Sequence, residues 1–449
     1  MSLRVIGLRK RSCYRHRAGQ FSRVPITQRA FTGSALQALE AAKGSASSFQ
    51  RSKCGNTSSP PDFPQAYPDL KRPADPRVTT AGGNVDGMVD FLVVGCGAPA
   101  RSMGWYHARQ ILDGEVPGAR LSHVVEPWFL AGGRDSEPGT AFLTFKAEAE
   151  ARGTAFHSSV ADLQNAEISR NSCAIIASRT ADNPQLFHAV IDAGVKYIYL
   201  EKPGAPTVAE LENMAVYAEA NAVQVFMGYN KNVSKYTRQA LQAEKKHPEA
   251  ITTYMHNNTF TTETLPECFE RNCEGILKNM AVHELCLLVT YYGLSSSRLE
   301  KYEFEDDHTS CQTLGDVTDF DKIGIVLQTA SGKVVRVRAD RCGGESAWAS
   351  LEVDGTEKVR FTTPDDELTE AILERQSRHP GYVPYFYVNH DDYVYLKSAV
   401  SSHILSGHEG TGPEGVATID VAIETLKLAE FLTQKALAKY SPKGTTSSL

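Results

Sequence analysis

Between residues 91 and 200, short apolar runs alternate with stretches of helical periodicity, and this alternation constrains the fold more than any other feature. Residues 91–94, 121–125, 173–177 and 197–200 read as buried strands, and residues 106–112, 142–152 and 185–193 read as helices between them. Such a pattern predicts an α/β fold built on a parallel sheet with crossover helices.

The first apolar run opens into Gly95-Cys96-Gly97-Ala98-Pro99-Ala100-Arg101-Ser102-Met103-Gly104. Gly95 permits a tight strand-to-helix turn, and Gly97 lets the backbone approach a pyrophosphate whose charge is favoured at a helix N-terminus. Ala98 and Arg101 lie in the same loop and are candidate contacts to that group. Alone, a Gly-x-Gly also suits a plain glycine turn. The usual third glycine position holds Ala100, with Gly104 four residues later, so residues 98–103 read as an enlarged loop. Glu126 ends the second strand, where an acid accepts ribose hydroxyls and repels a 2'-phosphate. NAD is the expected cofactor; NADP stays open because Arg101 or Arg134 could meet a phosphate, and the alternative for Glu126 is a solvated loop carboxylate.

The 449 residues, 41% of them hydrophobic, suffice for two or three domains. A net charge of -6, from 47 basic and 53 acidic residues, gives no reason to expect nucleic acid or a charged membrane as partner. No apolar stretch approaches the roughly 20 residues of a membrane span. The nine cysteines are scattered, without zinc-type spacing, and suit a reducing compartment. Residues 1–39 carry no Asp or Glu but eight basic residues, the composition of an organelle transit peptide or of a basic tail. The expected organisation is a transit peptide over 1–40, a disordered linker over 41–87, a Rossmann-like domain over 88–206, an α+β domain over 207–440 and a tail over 441–449. The expected location is the mitochondrial matrix, with plastid and cytoplasm as alternatives.

Tyr199-Leu200-Glu201-Lys202-Pro203-Gly204 closes the fourth apolar run. With Gly104-Trp-Tyr-His107-Ala108, residues 177–183 (Ala-Ser178-Arg-Thr180-Ala-Asp-Asn183), His188 and Phe226-Met-Gly-Tyr229-Asn230-Lys231, it resembles the Gfo/Idh/MocA oxidoreductases. The family hallmark is Glu-Lys-Pro at this strand end, and the resemblance runs from about residue 88 to 437. It implies that Ser178, Thr180, Asn183, Glu201 and Lys202 border the cofactor and that Tyr229, Asn230 and Lys231 border the substrate. The residues themselves support Lys202: a lysine at the carboxyl end of a parallel strand projects into the ligand crevice and can hold a substrate oxygen as charge develops on it. Read alone, it would sooner be a solvent-facing lysine, and the resemblance is what turns the reading to the active site.

In the second half, Asn279 and His283 are four apart and would share a face on a continuous helix. The resemblance makes His283 the candidate general base, in a motif where the family has Asp at the position of Asn279. An amide can orient an imidazole but cannot stabilise its charged form as a carboxylate does. His283 could work with a less perturbed pKa, Lys202 could take more of the proton transfer, or hydride chemistry could be lost. Residues 250–260, 323–329, 333–338 and 349–353 read as strands, and the resemblance implies a large, mostly antiparallel open sheet and a homo-dimer or homo-tetramer. Residues 417–432 form an amphipathic helix that closes the fold. The aromatic segment 381–393 suits either sugar binding or packing on the sheet. His390-Asp391-Asp392 is set aside as a metal site, since adjacent residues cannot all face one ion.

The resulting expectation is an NAD(P)-dependent oxidoreductase moving a hydride between nicotinamide and a small polyhydroxylated substrate, a sugar, cyclitol or related polyol. The alternatives are a catalytically silent NAD(P)-binding regulatory protein and NAD-assisted non-oxidative sugar chemistry.

Overall fold

The computed structural model describes residues 87–407 and 412–442. The expected transit peptide, nearly all of the linker and most of the tail lie outside them.

The first domain runs β1 (Val89–Val94), α1 (Met103–Leu112), β2 (Ala119–Val125), α2 (Glu137–Ala151), β3 (Ala155–His157), β4 (Ser172–Ile176), α3 (Asn183–Asp192), β5 (Tyr197–Leu200), α4 (Val208–Ala220) and β6 (Gln224–Met227). The strands form one parallel sheet ordered β3-β2-β1-β4-β5-β6. Their apolar character follows from burial on both faces. Leu92, Val94, Ala174 and Ile176 enter one core cluster, while Phe91, Val93, Cys173 and Ile175 enter the other. The sheet takes in β6, beyond residue 206.

Gly104 begins α1 against the end of β1, and a Cβ there would lie 2.1 Å from the carbonyl oxygen of Gly95. It supplies the close helix-to-strand packing that the third glycine of a dinucleotide loop normally provides. The intervening loop is longer, and Ala100 in it adopts φ +63°.

The second domain follows with α5 (Lys235–Glu244), β7 (Ile251–Asn257), α6 (Leu265–Arg271), α7 (Ile276–Asn279), α8 (Val282–Tyr292), β8 (Leu299–Phe304), β9 (Ser310–Leu314), β10 (Val317–Thr329), β11 (Val334–Asp340), β12 (Ala347–Val353) and β13 (Thr356–Thr363). Its seven-stranded sheet has the order β13-β12-β7-β11-β10-β8, with β9 paired to β10. Every pairing is antiparallel except β7 with β11. Alternation of apolar residues marks β10 and β11. The edge strands β8 and β13 read as Leu-Glu-Lys-Tyr-Glu-Phe and Thr-Glu-Lys-Val-Arg-Phe-Thr-Thr and present mostly polar side chains, so no apolar run announces them.

The chain then returns through α9 (Asp366–Arg378), α10 (Pro384–Val388), α11 (His390–Ser406) and α12 (Ile419–Tyr440). Leu396, Val400 and Ile404 of α11 complete a core cluster of the first domain. In α12, Ile419, Ala422, Ile423 and Leu426 join the other first-domain cluster, whereas Leu428, Ala429, Leu432 and Ala436 join the core of the second. The helix expected at 417–432 is therefore longer and serves both domains. Among the described residues no helix is long and apolar enough to cross a membrane.

Gly104→Ala is expected to lower stability by about 3 kcal/mol or more, because backbone rather than a flexible side chain must yield. Urea denaturation of the two proteins measures it.

Candidate active site

All six strands of the first sheet end on one edge, and the sheet order reverses between β1 and β4, the position where open sheets of this kind bind ligands. Gly95 and Gly97 there adopt φ +82° and +73°. A Cβ on Gly95 would lie 2.8 Å from the Ser178 backbone, and one on Gly97 would lie 2.5 Å from Ser102. The Ser102 hydroxyl accepts from Ala98 N–H at 2.9 Å and does not cap α1, so the first-turn N–H groups stay without a side-chain acceptor. This glycine cradle at an uncapped helix start fits a pyrophosphate. Arg101 is exposed at the loop tip.

Glu126 is not a solvated loop carboxylate: it is buried, its Oε2 accepts from Gly97 N–H at 2.6 Å, and its Oε1 accepts from Trp128 and Phe129 N–H at 3.0 and 3.3 Å. Three backbone donors thus fix an anion beside the glycine loop, as ribose recognition needs. Ser178 and Thr180 stand at the end of β4, both half-buried. Asn183 is buried; its side chain accepts from Ser178 Oγ at 2.6 Å and donates to the Gly204 carbonyl at 3.0 Å, so it braces the two strand ends against each other. Glu201 is buried, and its Oε1 lies 2.9 Å from Nε2 of the buried His107.

Lys202 projects from the end of β5, half-buried, and its Nζ donates to the main-chain carbonyl of Asn279 at 3.2 Å. Burial lowers its pKa, against the opposing pull of Glu201, Glu274 and Glu284. His283 lies on α8 with its ring 5.9 Å from that of Tyr229, edge to face. Burial first, then Lys202 and Lys231, hold its pKa well below the ordinary value. Neither His283 Nδ1 nor Tyr229 Oη, both buried, has a hydrogen-bond partner among the described residues. These polar atoms in one cluster suit a ligand rich in hydroxyls.

The helix expected to carry both Asn279 and His283 is broken. Asn279 ends α7, Met280 and Ala281 form the junction, and His283 sits in the first turn of α8. The Asn279 amide instead donates to Asn272 Oδ1 at 3.0 Å and Glu274 Oε1 at 3.1 Å. Its amide therefore does not orient His283; the residue serves the site through its carbonyl on Lys202.

Lys231 occupies the 3-10 turn after β6 and donates to Glu284 Oε1 at 2.6 Å, with both side chains buried. His256 Nδ1, from β7, lies 3.2 Å from the other Glu284 oxygen. Burial alone would raise the Glu284 pKa, but Lys231 and then His256 hold it below the carboxylate range. Asn230 donates to Asp392 of α11 at 3.4 Å, and burial, then Asp391, pushes the Asp392 pKa up to about 7. Sequence reasoning assigns Glu284 and His256 no role, and offers Asp392 only within the aromatic segment 381–393 and a metal cluster that is set aside. Glu284 adjoins His283 in sequence, but only the folded chain brings His256 and Asp392 to it.

The aromatic segment packs: Tyr106 of α1 stacks on Phe386 at 3.9 Å, and Tyr382 meets Trp105 edge to face. Its backbone also supports the enlarged glycine loop, with Val383 N–H donating to the Ala100 carbonyl at 3.1 Å. The neighbouring polar residues diverge. His390 pairs with Tyr106, Asp391 with Arg375 and Asp392 with Asn230.

Residues 89–229 match the family model of the Gfo/Idh/MocA oxidoreductases, described as an oxidoreductase family with an NAD-binding Rossmann fold. The match spans the first domain from β1 through β6. Solved structures share the whole two-domain fold at low identity. A myo-inositol dehydrogenase assigned in Sinorhizobium meliloti is 16% identical with TM-score 0.56, covering 78% of this chain and 98% of that one. The myo-inositol 2-dehydrogenase of Lactobacillus plantarum is 15% identical with TM-score 0.55, covering 79% and 98%. The scyllo-inositol dehydrogenase of Lactobacillus casei, solved with NAD(H) and scyllo-inositol, is 12% identical with TM-score 0.55, covering 78% and 97%. No curated protein matches the sequence.

Glu284→Gln is expected to cost about 3–5 kcal/mol near pH 7, since it strands a buried ammonium. The depressed Glu284 pKa contributes stability above the unfolded carboxylate value of about 4.3 and loses it as pH falls towards the folded value, so the deficit should shrink in acid. Lys231→Met in the same chain should recover most of the loss. Urea titrations of the single and double variants across pH provide the measurement.

Proposed function

We propose that the chain is an NAD-dependent dehydrogenase or reductase acting on a CH–OH group of a cyclitol, sugar or related polyol. The observation that carries this reading is the placement of Lys202 and His283 with Tyr229, at the carboxyl edge of an NAD-binding sheet. NAD, when bound, supplies the hydride acceptor. The glycine cradle and the α1 start would hold its pyrophosphate, and Glu126 its adenosine ribose.

Lys202, aimed by the Asn279 carbonyl, holds the substrate oxygen and stabilises the charge that builds on it. His283 is kept neutral by burial and two nearby ammonium groups, so at neutral pH it can take the hydroxyl proton. Glu284 neutralises Lys231 and fixes the turn of α8 from which His283 projects. Asn230 with Asp392, together with Tyr229, offers groups to further hydroxyls. The L. casei relative, solved with scyllo-inositol, supports a polyol as the ligand class.

The face of the second sheet opposite α8 and α12 carries Arg336, Arg338 and Trp348. We propose that a second copy of the chain covers it, giving a homo-dimer or tetramer. The acid-free, arginine-rich start of the sequence supports delivery to the mitochondrial matrix.

Incubating the full chain with NAD or NADP and a panel of inositols, sugars and sugar acids tests the reading, with nicotinamide absorbance and substrate loss recorded together. Lys202→Met should lower kcat/KM about 100-fold or more, and His283→Gln about 100-fold or more. The ascending limb of the oxidation pH profile should lie below the ordinary histidine value of about 6.5. Cofactor binding without substrate loss, or full turnover by Lys202→Met, would overturn the assignment.

A further inference from the structure

Beneath Lys202 lies a chain of buried titratable groups that the proposed chemistry does not use. Lys397 of α11 and His107 of α1 are both 0% exposed. Lys397 Nζ lies 3.1 Å from His107 Nδ1, 2.7 Å from Gln110 Oε1 and 2.8 Å from the Tyr393 carbonyl. An ammonium has three protons and no acceptor, so these three partners satisfy it completely. His107 Nδ1 must then accept, which places the imidazole proton on Nε2, where it donates to Glu201 Oε1 at 2.9 Å. Gly228 leaves the room this carboxylate occupies, for a Cβ there would stand 2.5 Å from Glu201 Oε1.

We propose that Lys397 is a positioning residue for Lys202: through His107 it orients the Glu201 carboxylate and so holds the end of β5 from which Lys202 projects. The effect on catalysis rests on the role given to Lys202 above, whereas the relay stands on its own geometry. The groups facing His107 are Lys397, Glu201 and the rings of Tyr199 and Tyr393, at 5.3 and 5.5 Å. Burial lowers the Lys397 pKa to about 7, against the opposing pull of Glu115, in the turn after α1, and Glu201, so the amine carries its three protons in acid. Burial, then Lys397, lowers the His107 pKa to about 4, so in acid the relay's proton sits on lysine and the imidazole stays neutral.

Removing the lysine leaves Glu201 buried beside the imidazole, and the imidazole becomes the group that takes up the compensating proton. Nitrogen-15 spectra of histidine-labelled full chain, with His107 assigned through His107→Asn, read this directly. At about pH 5.5, below the ordinary histidine pKa, wild-type His107 should be neutral with its proton on Nε2. K397M should show imidazolium, and K397M/E201Q should return it to neutral. A merely structural lysine would not produce this sequence of states. Imidazolium in wild type, or a neutral His107 in K397M, overturns the relay. Should K397M fail to fold, the uncharged double variant decides, and imidazolium there overturns it as well.

With a turned-over substrate, K397M should lose about tenfold in kcat while its Kd for NAD changes by no more than about twofold, because displacement at the reacting centre leaves the nucleotide contacts in place. An unchanged kcat overturns the positioning role. If no substrate is turned over, the functional reading fails and the spectra alone decide the relay.

Discussion

Six parallel strands ending on a common edge deliver nearly everything the first domain contributes to the site. Gly95, Glu126, Ser178, Lys202 and Tyr229 lie within two residues of the ends of β1, β2, β4, β5 and β6. Their proximity follows from strand direction and hydrogen-bonded register. The sheet depends in turn on the bare Cα of Gly104, which lets α1 settle on the end of β1 and brings the rest of the glycine loop into position.

That dependence explains what the sequence made legible. Lys202 and the glycines follow apolar strands of unmistakable pattern, and Glu126 was placed by its position after the second. Its threefold backbone anchoring could not be read, since it depends on where Gly97 and Phe129 turn. The pairing of Asn279 with His283 failed for a local reason: helical spacing assumes an unbroken helix, and the backbone changes direction at Met280 and Ala281. His256, Asp392 and Lys397 come from elements far along the chain, and no local periodicity announces a contact across 290 positions such as that between Lys397 and His107. The edge strands β8 and β13 were hidden by their own exposure, which removes the apolar signature of strands.

Charge is distributed with a consistent logic. Buried ammonium groups at Lys231 and Lys397 meet carboxylates directly or through an imidazole, as the desolvation cost of an ion requires. Burial, then two cationic neighbours, hold the His283 pKa low, and burial, then Lys231, lowers that of His256 as well; His256 is tied to Glu284, whereas His283 Nδ1 has no hydrogen-bond partner among the described residues. Two histidines with 6.4 Å between ring centroids are thereby assigned different duties by their neighbours.

Helices α11 and α12 pack into the cores of the first domain, although they come last among the described helices. A growing polypeptide emerging from a ribosome would expose β1 to β6 with two faces of the sheet incompletely covered until Leu396 to Leu426 had followed. The nucleotide-binding domain therefore cannot finish folding ahead of the domain made after it, and both of its cores stay open until α11 and α12 have followed.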